Sequence, residues 1–404
     1  MLSDLLIALL YLALLFCWAP SMWAVSLLQV GLLGLGGYWI ARHIHSEPVR
    51  ISPDSIVLAL LIACGPIQIL ARTTESSFET WSATLNWLTL AVAFLLAKRV
   101  CQRSTERRRF LSRMLWLGSA LAVIAVLQNF SSPRRILWLF QTSYNSYGPF
   151  IYKNQFAAFL ELLIPIAFWK MVIDQRARFA YAILVAALFA CSVASVSRAG
   201  VVLAAAELIV LTFLFWSRRL ISAKTMRIVA AQACILPIVF SLVVGWDALL
   251  KRFEEPSPYA VRAKLASSTI QMIRDRPAMG FGLGTWRIVY PQYATFDIAK
   301  WANEAHNDWL QWASDGGIGF ALVMLSFAAV AARRAWKHPW GCGVVAVFIH
   351  ATVDYPTREP ALAAVLFALA GALAAAEGKK APERPEENAR SRTMFDRPVA
   401  HEQS

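Results

Sequence analysis

Arg198, Arg262 and His306 stand far apart in the chain, yet their types suit chemistry on an anionic ligand: arginine to hold phosphate oxygens and histidine to move a proton. Guanidinium presents a planar fork matched to phosphate oxygens, and imidazole exchanges a proton near neutral pH. Arg198 lies in Ser197-Arg198-Ala199-Gly200, wedged between two apolar runs. An arginine costs ~2.5–3.5 kcal/mol near a bilayer centre and less at the interface. It therefore either snorkels to the interface or serves as an anion clamp facing the protein interior. Arg262 opens a segment whose Val261, Leu265, Ser268, Thr269 and Met272 suggest a helix lying along the surface. It is either an ordinary solvated arginine or, with Lys264 and a further arginine, one of several donors sharing the charge of a diphosphate. His306 falls at helical spacing from Trp309, Leu310 and Ala313. It is a packing or capping histidine, or a general base oriented by Glu304 or Asp308.

Lys153, Asn154, Lys264, Asn307, Asp308 and Asp354 complete the candidate set as substrate contacts, Lys153 and Asn154 being otherwise plain interfacial residues. Glu161, one to two turns inside an apolar run, calls for a cation or a cavity. His350 and Asp354 share a helical face at i and i+4, which permits a structural hydrogen bond or a second acid-base pair. The run from Gly280 to Gly284 has the glycine density of a phosphate loop, but no strand precedes it. It reads better as a tight turn for close helix packing, with Phe281, Leu283 and Trp286 at the lipid interface. No ligand spacing supports a metal, and the six cysteines show no CxxC pair and read as apolar packing.

The elements that must position these residues are membrane helices. With 58% hydrophobic and 16% charged residues, and repeated continuous apolar runs, the chain is an all-α polytopic membrane protein rather than a soluble domain or a barrel. About twelve transmembrane helices are expected, at 5–18, 22–41, 55–71, 82–97, 111–127, 155–172, 181–196, 199–216, 228–246, 309–332, 340–353 and 361–375, with breaks at Gly316-Gly317 and Pro356. Lys and Arg then set the topology. The basic segment 98–113 is the strongest cytoplasmic marker, and alternation puts 42–50, 170–178, 218–227, 333–337 and the tail on its side. Both termini are thus expected in the cytoplasm, with 128–154, 192–200, 247–308 and 354–359 gathered on the outer face. Residues 1–376 form the membrane domain, 247–308 its large helical outer loop, and 377–404 a disordered cytoplasmic tail. The net charge of +14 reflects topology and attraction to anionic lipid, not nucleic acid binding.

At this point the sequence resembles the O-antigen ligase and polymerase superfamily of bacterial envelope glycosyltransferases. The resemblance rests on Gly148-Pro149-Phe150 through Asn154-Gln155-Phe156-Ala157, on Ser197 to Gly200, on Arg262, on the turn from Asp275 to Gly284, and on Ala305-His306-Asn307-Asp308 through Gly319. Asp315 stands where the family is expected to carry Glu. The resemblance implies a GT-C-like fold in the bacterial inner membrane with a periplasmic catalytic loop. It implies a polyprenyl-diphosphate-linked glycan as donor and a glycan or lipid A-core hydroxyl as acceptor, with no cofactor, nucleotide or metal. The matching motifs give Arg198 and Arg262 the diphosphate and His306 the role of base in a single inverting displacement. A transporter of an anionic envelope precursor, using Arg198, Glu161 and Arg262 as its path, is the reading from a different class.

Overall fold

A computed structural model describes residues 1–16, 18, 22–43, 52–255, 259–296 and 301–377. The tail expected to be disordered lies, from 378 on, outside the described residues. The chain runs through α1 (Leu2–Phe16), α2 (Met22–His43), α3 (Pro53–Leu70), α4 (Ser77–Val100) and α5 (Ser104–Ser131). A two-residue hairpin, β1 (Arg135–Ile136) with β2 (Phe140–Gln141), precedes α6 (Lys153–Ile173), α7 (Arg178–Ala194), α8 (Arg198–Ser217) and α9 (Ala223–Val244). Then follow α10 (Asp247–Glu254), α11 (Ala260–Asp275), the single turn α12 (Trp286–Val289), α13 (Asp308–Lys337), α14 (Cys342–His350) and α15 (Pro360–Glu377).

Among the described residues nine helices are long and apolar enough to cross a membrane, and three shorter apolar helices occupy the other expected positions. The protein is a multi-pass, all-α membrane protein. Where boundaries differ from the sequence expectation, the cause is local. α5 begins at Ser104 rather than near 111 because its Arg- and Glu-rich first turns are good helix formers and continue the helix beyond the apolar stretch. The segment expected to span 340–353 stops its helix at His350 and turns, which frees the following residues for the site.

The bundle has a centre and a rim. The buried share of the apolar window is 83% for α6 and α15 but 28% for α3 and α9, so the former are core helices and the latter face lipid. α15 lies against α4 at Gly371, where a Cβ would collide with the Phe94 carbonyl oxygen. Small residues let membrane helices approach at backbone distance. At one end of the bundle, Asp54 accepts from Lys98 (2.6 Å) and pairs with Arg334 (2.8 Å), and Glu377 pairs with Arg334 (3.0 Å) and Lys337 (2.8 Å). These pairs pin α3, α4, α13 and α15 together. The segments that alternation assigns to the outer face meet at the opposite end.

The glycine-rich turn packs, as its composition suggests, but its aromatic residues do not face lipid. Phe281, Leu283 and Trp286 are 4%, 2% and 0% exposed; Phe281 and Trp286 join Leu265, Met272 and Val289 in a second apolar cluster. The turn is closed by α13: Phe281 and Gly282 donate to the backbone carbonyls of Ser314 and Asp315, and the Asp315 carboxylate accepts from the Gly284 (3.2 Å) and Trp286 (3.0 Å) amides. This requires the break in α13 at Gly317, whose φ of 78° and ψ of 171° are open essentially to glycine alone. A Cβ there would strike the Ala278 backbone. Gly317→Ala is therefore expected to cost at least ~1–3 kcal/mol, read as a lowered Tm of the detergent-purified protein. Gly319→Ala, which meets nothing within 4 Å, should leave Tm unchanged.

Candidate functional site

Five helix ends converge. Ser197 caps α8, its hydroxyl accepting from the Gly200 amide (3.2 Å), and so sets Arg198 at the first helical position. The same hydroxyl donates to Asn154 Oδ1 (2.8 Å) at the start of α6. Asn307 caps α13, accepting from the Leu310 amide (3.0 Å). Arg262 projects from the first turn of α11, and Asp354 follows the turn that ends α14.

Asp354 is the hub. Its carboxylate accepts from Arg262 Nη2 (3.2 Å), from the amide of Asn154 and from the Tyr355 backbone (3.0 Å). His306 Nδ1 stands 3.4 Å from Oδ1, a close approach that falls short of a formed hydrogen bond. Burial pushes the Asp354 carboxyl upward, but His306 and the charges of Arg262 and His350 outweigh it, holding the group below the usual carboxylate range. It is an anion in the resting site. His306 itself does not sit on a helix as its spacing suggests. It precedes α13 in left-handed backbone (φ 53°), with its ring edge-on to Tyr355 at 4.8 Å. The carboxylate beside it is Asp354, not Glu304 or Asp308.

Arg198 and Arg262 both lie against the ring of Tyr259. Their guanidiniums lie 5.1 and 5.8 Å from the centroid of Tyr259, close enough for cation–π attraction to offset some of their mutual repulsion. Arg198 also donates to the Arg252 carbonyl (2.7 Å) and lies 3.7 Å from Glu255. Lys153 donates to the Val196 carbonyl (3.0 Å), and Val196 holds an unusual positive φ of 55° for a β-branched residue. Lys264 lies over Phe296 at 4.9 Å. Beside these groups opens a cavity of about 710 Å³, walled by Tyr144, Tyr152, Phe296, Trp301 and Tyr355, with His306 on its surface.

Two candidate contacts turn inward. Asn307 spends its amide on the Thr352 carbonyl (2.7 Å). Asp308 is fully buried, accepts from the Thr357 hydroxyl (2.8 Å) and amide (3.1 Å), and stands 3.5 Å from Arg358. Sequence reasoning gave Arg358 no role, yet it is the cation among Glu304, Asp308 and Asp315, with Asp315 at 3.1 Å. The signal available was three acids near membrane depth that needed one positive partner. Tyr259 was missed as well, since nothing in its spacing from Arg262 announces a second arginine.

Glu304 ties this cluster to the cavity. It accepts from Gln311 Nε2 (2.6 Å), and burial pushes it up to about 7 against the opposing pull of Arg358. With its folded pKa raised, Glu304 contributes stability that is fully present below the unfolded value and lost as pH rises through about 7. Raising pH from about 5 to about 8 should lower the Tm of the wild type more than that of Glu304→Gln, whose amide oxygen still accepts from Gln311. Parallel pH profiles for the two proteins would refute the assignment. Glu161, the other acid expected to need a partner, has one: His350 Nδ1 at 2.7 Å, both side chains buried.

Residues 182–325 match the family model described as O-antigen ligase. No curated protein matches the chain. The matched region runs from α7 into α13 and holds Arg198, Arg262 and His306, while Lys153, Asn154 and Asp354 come from outside it and close the site around them. Over residues 182–325, the stretch that carries the two arginines and the histidine, the chain is similar to the O-antigen ligase family.

Proposed function

We propose that the protein transfers a glycan from a polyprenyl diphosphate carrier to an acceptor hydroxyl on a glycan or lipid A core, at the periplasmic face of the bacterial inner membrane, with both termini in the cytoplasm. The observation that carries this reading is the continuous chain Arg262–Asp354–His306, in which one ionised carboxylate touches both a diphosphate-binding group and a base. His306 takes the acceptor's hydroxyl proton through its second ring nitrogen as the oxygen attacks the anomeric carbon. The bond from that carbon to the diphosphate breaks, and polyprenyl diphosphate leaves with the electron pair. Arg262 and Arg198 neutralise the charge that develops on it, with Lys153 nearby, and the site's partial burial strengthens the effect. Asp354 stabilises the imidazolium that forms. Attack opposite the leaving group inverts the anomeric centre.

Arg262 and His306 draw on the same anion, so donor and base are coupled. As the diphosphate engages Arg262, the arginine's hold on Asp354 loosens, and more of the carboxylate's charge serves His306. Against a transport path through Arg198, Glu161 and Arg262 stands the closed Glu161–His350 pair, which has no exposure to a channel. The test is reconstitution in proteoliposomes with a lipid-linked glycan and candidate acceptors. Product of inverted configuration together with free polyprenyl diphosphate supports the proposal; movement of intact donor across the bilayer without cleavage overturns it.

A further inference from the structure

At the end of the bundle away from His306 lies a second cavity, of about 550 Å³. Its floor is apolar, formed by Leu111, Trp169, Val172, Phe215 and Trp340, and its polar wall carries Arg107, Arg108, Lys337 and His338. No acid is among its lining residues. Four elements supply this wall and floor: the first turns of α5, the last turns of α6 and α8, and the link after α13.

The positive charges there are undercompensated. Arg107 makes one hydrogen bond, to the Cys101 carbonyl (3.0 Å), and among the described residues neither it nor Arg108 has a carboxylate partner. Lys337 pairs with Glu377, but Arg333 and Arg334 draw on that same carboxylate. Arg218, stacked on Trp336 at 4.9 Å, keeps a buried Nη2 without a hydrogen-bond partner. Burial, together with the field of Arg107, Lys337 and Arg218, which Glu377 only partly opposes, holds His338 below the ordinary histidine range. Like charges gathered over an apolar floor call for an amphiphilic anion: guanidinium forks suit phosphate oxygens, and the floor suits hydrocarbon.

We propose that this cleft binds an anionic phospholipid, its phosphate between Arg107, Arg108 and Lys337 and its proximal acyl chain along Leu111, Val172 and Phe215. The site is independent of the glycan-transfer reading. Diffuse attraction of basic loops to anionic lipid is worth ~1 kcal/mol per residue, so the experiment must separate a built site from general charge. Full-length protein in detergent is mixed with phosphatidylglycerol, phosphatidylcholine or soluble glycerol phosphate, and bound lipid is read by native mass spectrometry with Tm alongside. Phosphatidylglycerol should be retained over phosphatidylcholine, and Arg107→Gln with Arg108→Gln should reduce retention by at least ~10-fold more than Arg103→Gln with Arg109→Gln, which removes equal charge from the same segment outside the cleft. Equal losses in the two double variants overturn the proposal in favour of diffuse attraction. Glycerol phosphate raising Tm as much as phosphatidylglycerol overturns it in favour of a soluble phosphate ligand. Should the cleft variant fail to fold, the wild type still decides, because equal retention of both lipids leaves no anionic site.

Discussion

Arg262→Ala is expected to lower glycan transfer by about 10²–10³-fold, the range for removing one preorganised donor from a developing anion. The size follows from three contacts that end at once. The guanidinium is a leading candidate for the departing diphosphate, it pairs with Asp354 at 3.2 Å, and it lies over the Tyr259 ring that it shares with Arg198. Alanine therefore removes a charge, strips a buried carboxylate of a partner and leaves Arg198 as the arginine against the Tyr259 ring. Arg262→Lys separates these effects. It restores the charge without the fork, so its turnover should fall between alanine and wild type. The bundle itself should survive, because α11 packs through Leu265, Ser268, Thr269 and Met272, none of which the substitution alters. The measurement is kcat/KM in proteoliposomes, with membrane insertion checked by size-exclusion behaviour. An alanine variant within about threefold of wild type would remove Arg262 from the reaction.

The architecture was legible because apolar runs of membrane length have no alternative in lipid but to form helices, and all twelve expected positions carry an apolar helix. Alternation of basic loops also brought the right segments together: Asn154, Ser197, Arg262, His306 and Asp354, far apart in sequence, meet at one end of the bundle. What periodicity could not give was conformation at the points where helices stop. His306 was placed on a helix because Trp309, Leu310 and Ala313 follow at helical spacing, yet Asn307 caps the helix and leaves the imidazole outside it in left-handed backbone. An Asn between a His and an apolar periodic run is a capping signal, and it competes with the period. Phe281, Leu283 and Trp286 read as interfacial by residue type, but Phe281 and Trp286 join a separate apolar core with α11 and Leu283 joins the main one. Side-chain partners were the least legible. Arg358 neutralises Glu304 ahead of α13 together with Asp308 and Asp315 inside it, and Tyr259 bridges arginines from two helices; neither relation has a sequence period.

His306→Ala is expected to reduce turnover by about 10²–10⁴-fold, the usual contribution of a positioned general base. The more discriminating experiment pairs it with Asp354→Asn. Asparagine keeps the shape and can still accept from Arg262 and Asn154, but it removes the negative charge that stands 3.4 Å from His306 Nδ1. The imidazolium that forms during transfer then loses its stabilising charge, so Asp354→Asn should lower kcat, while KM for the donor changes little because Arg262 keeps an acceptor at this position. Because the carboxylate acts through the imidazole, the two substitutions should fail to add: once His306 is gone, removing the charge of Asp354 has little left to weaken. A double variant whose loss equals the product of the single losses would mean that Asp354 works separately from the base, through Arg262 or the fold. A His306→Ala protein that keeps the wild-type rate would shift the proton to another acceptor, and with it the centre of the site.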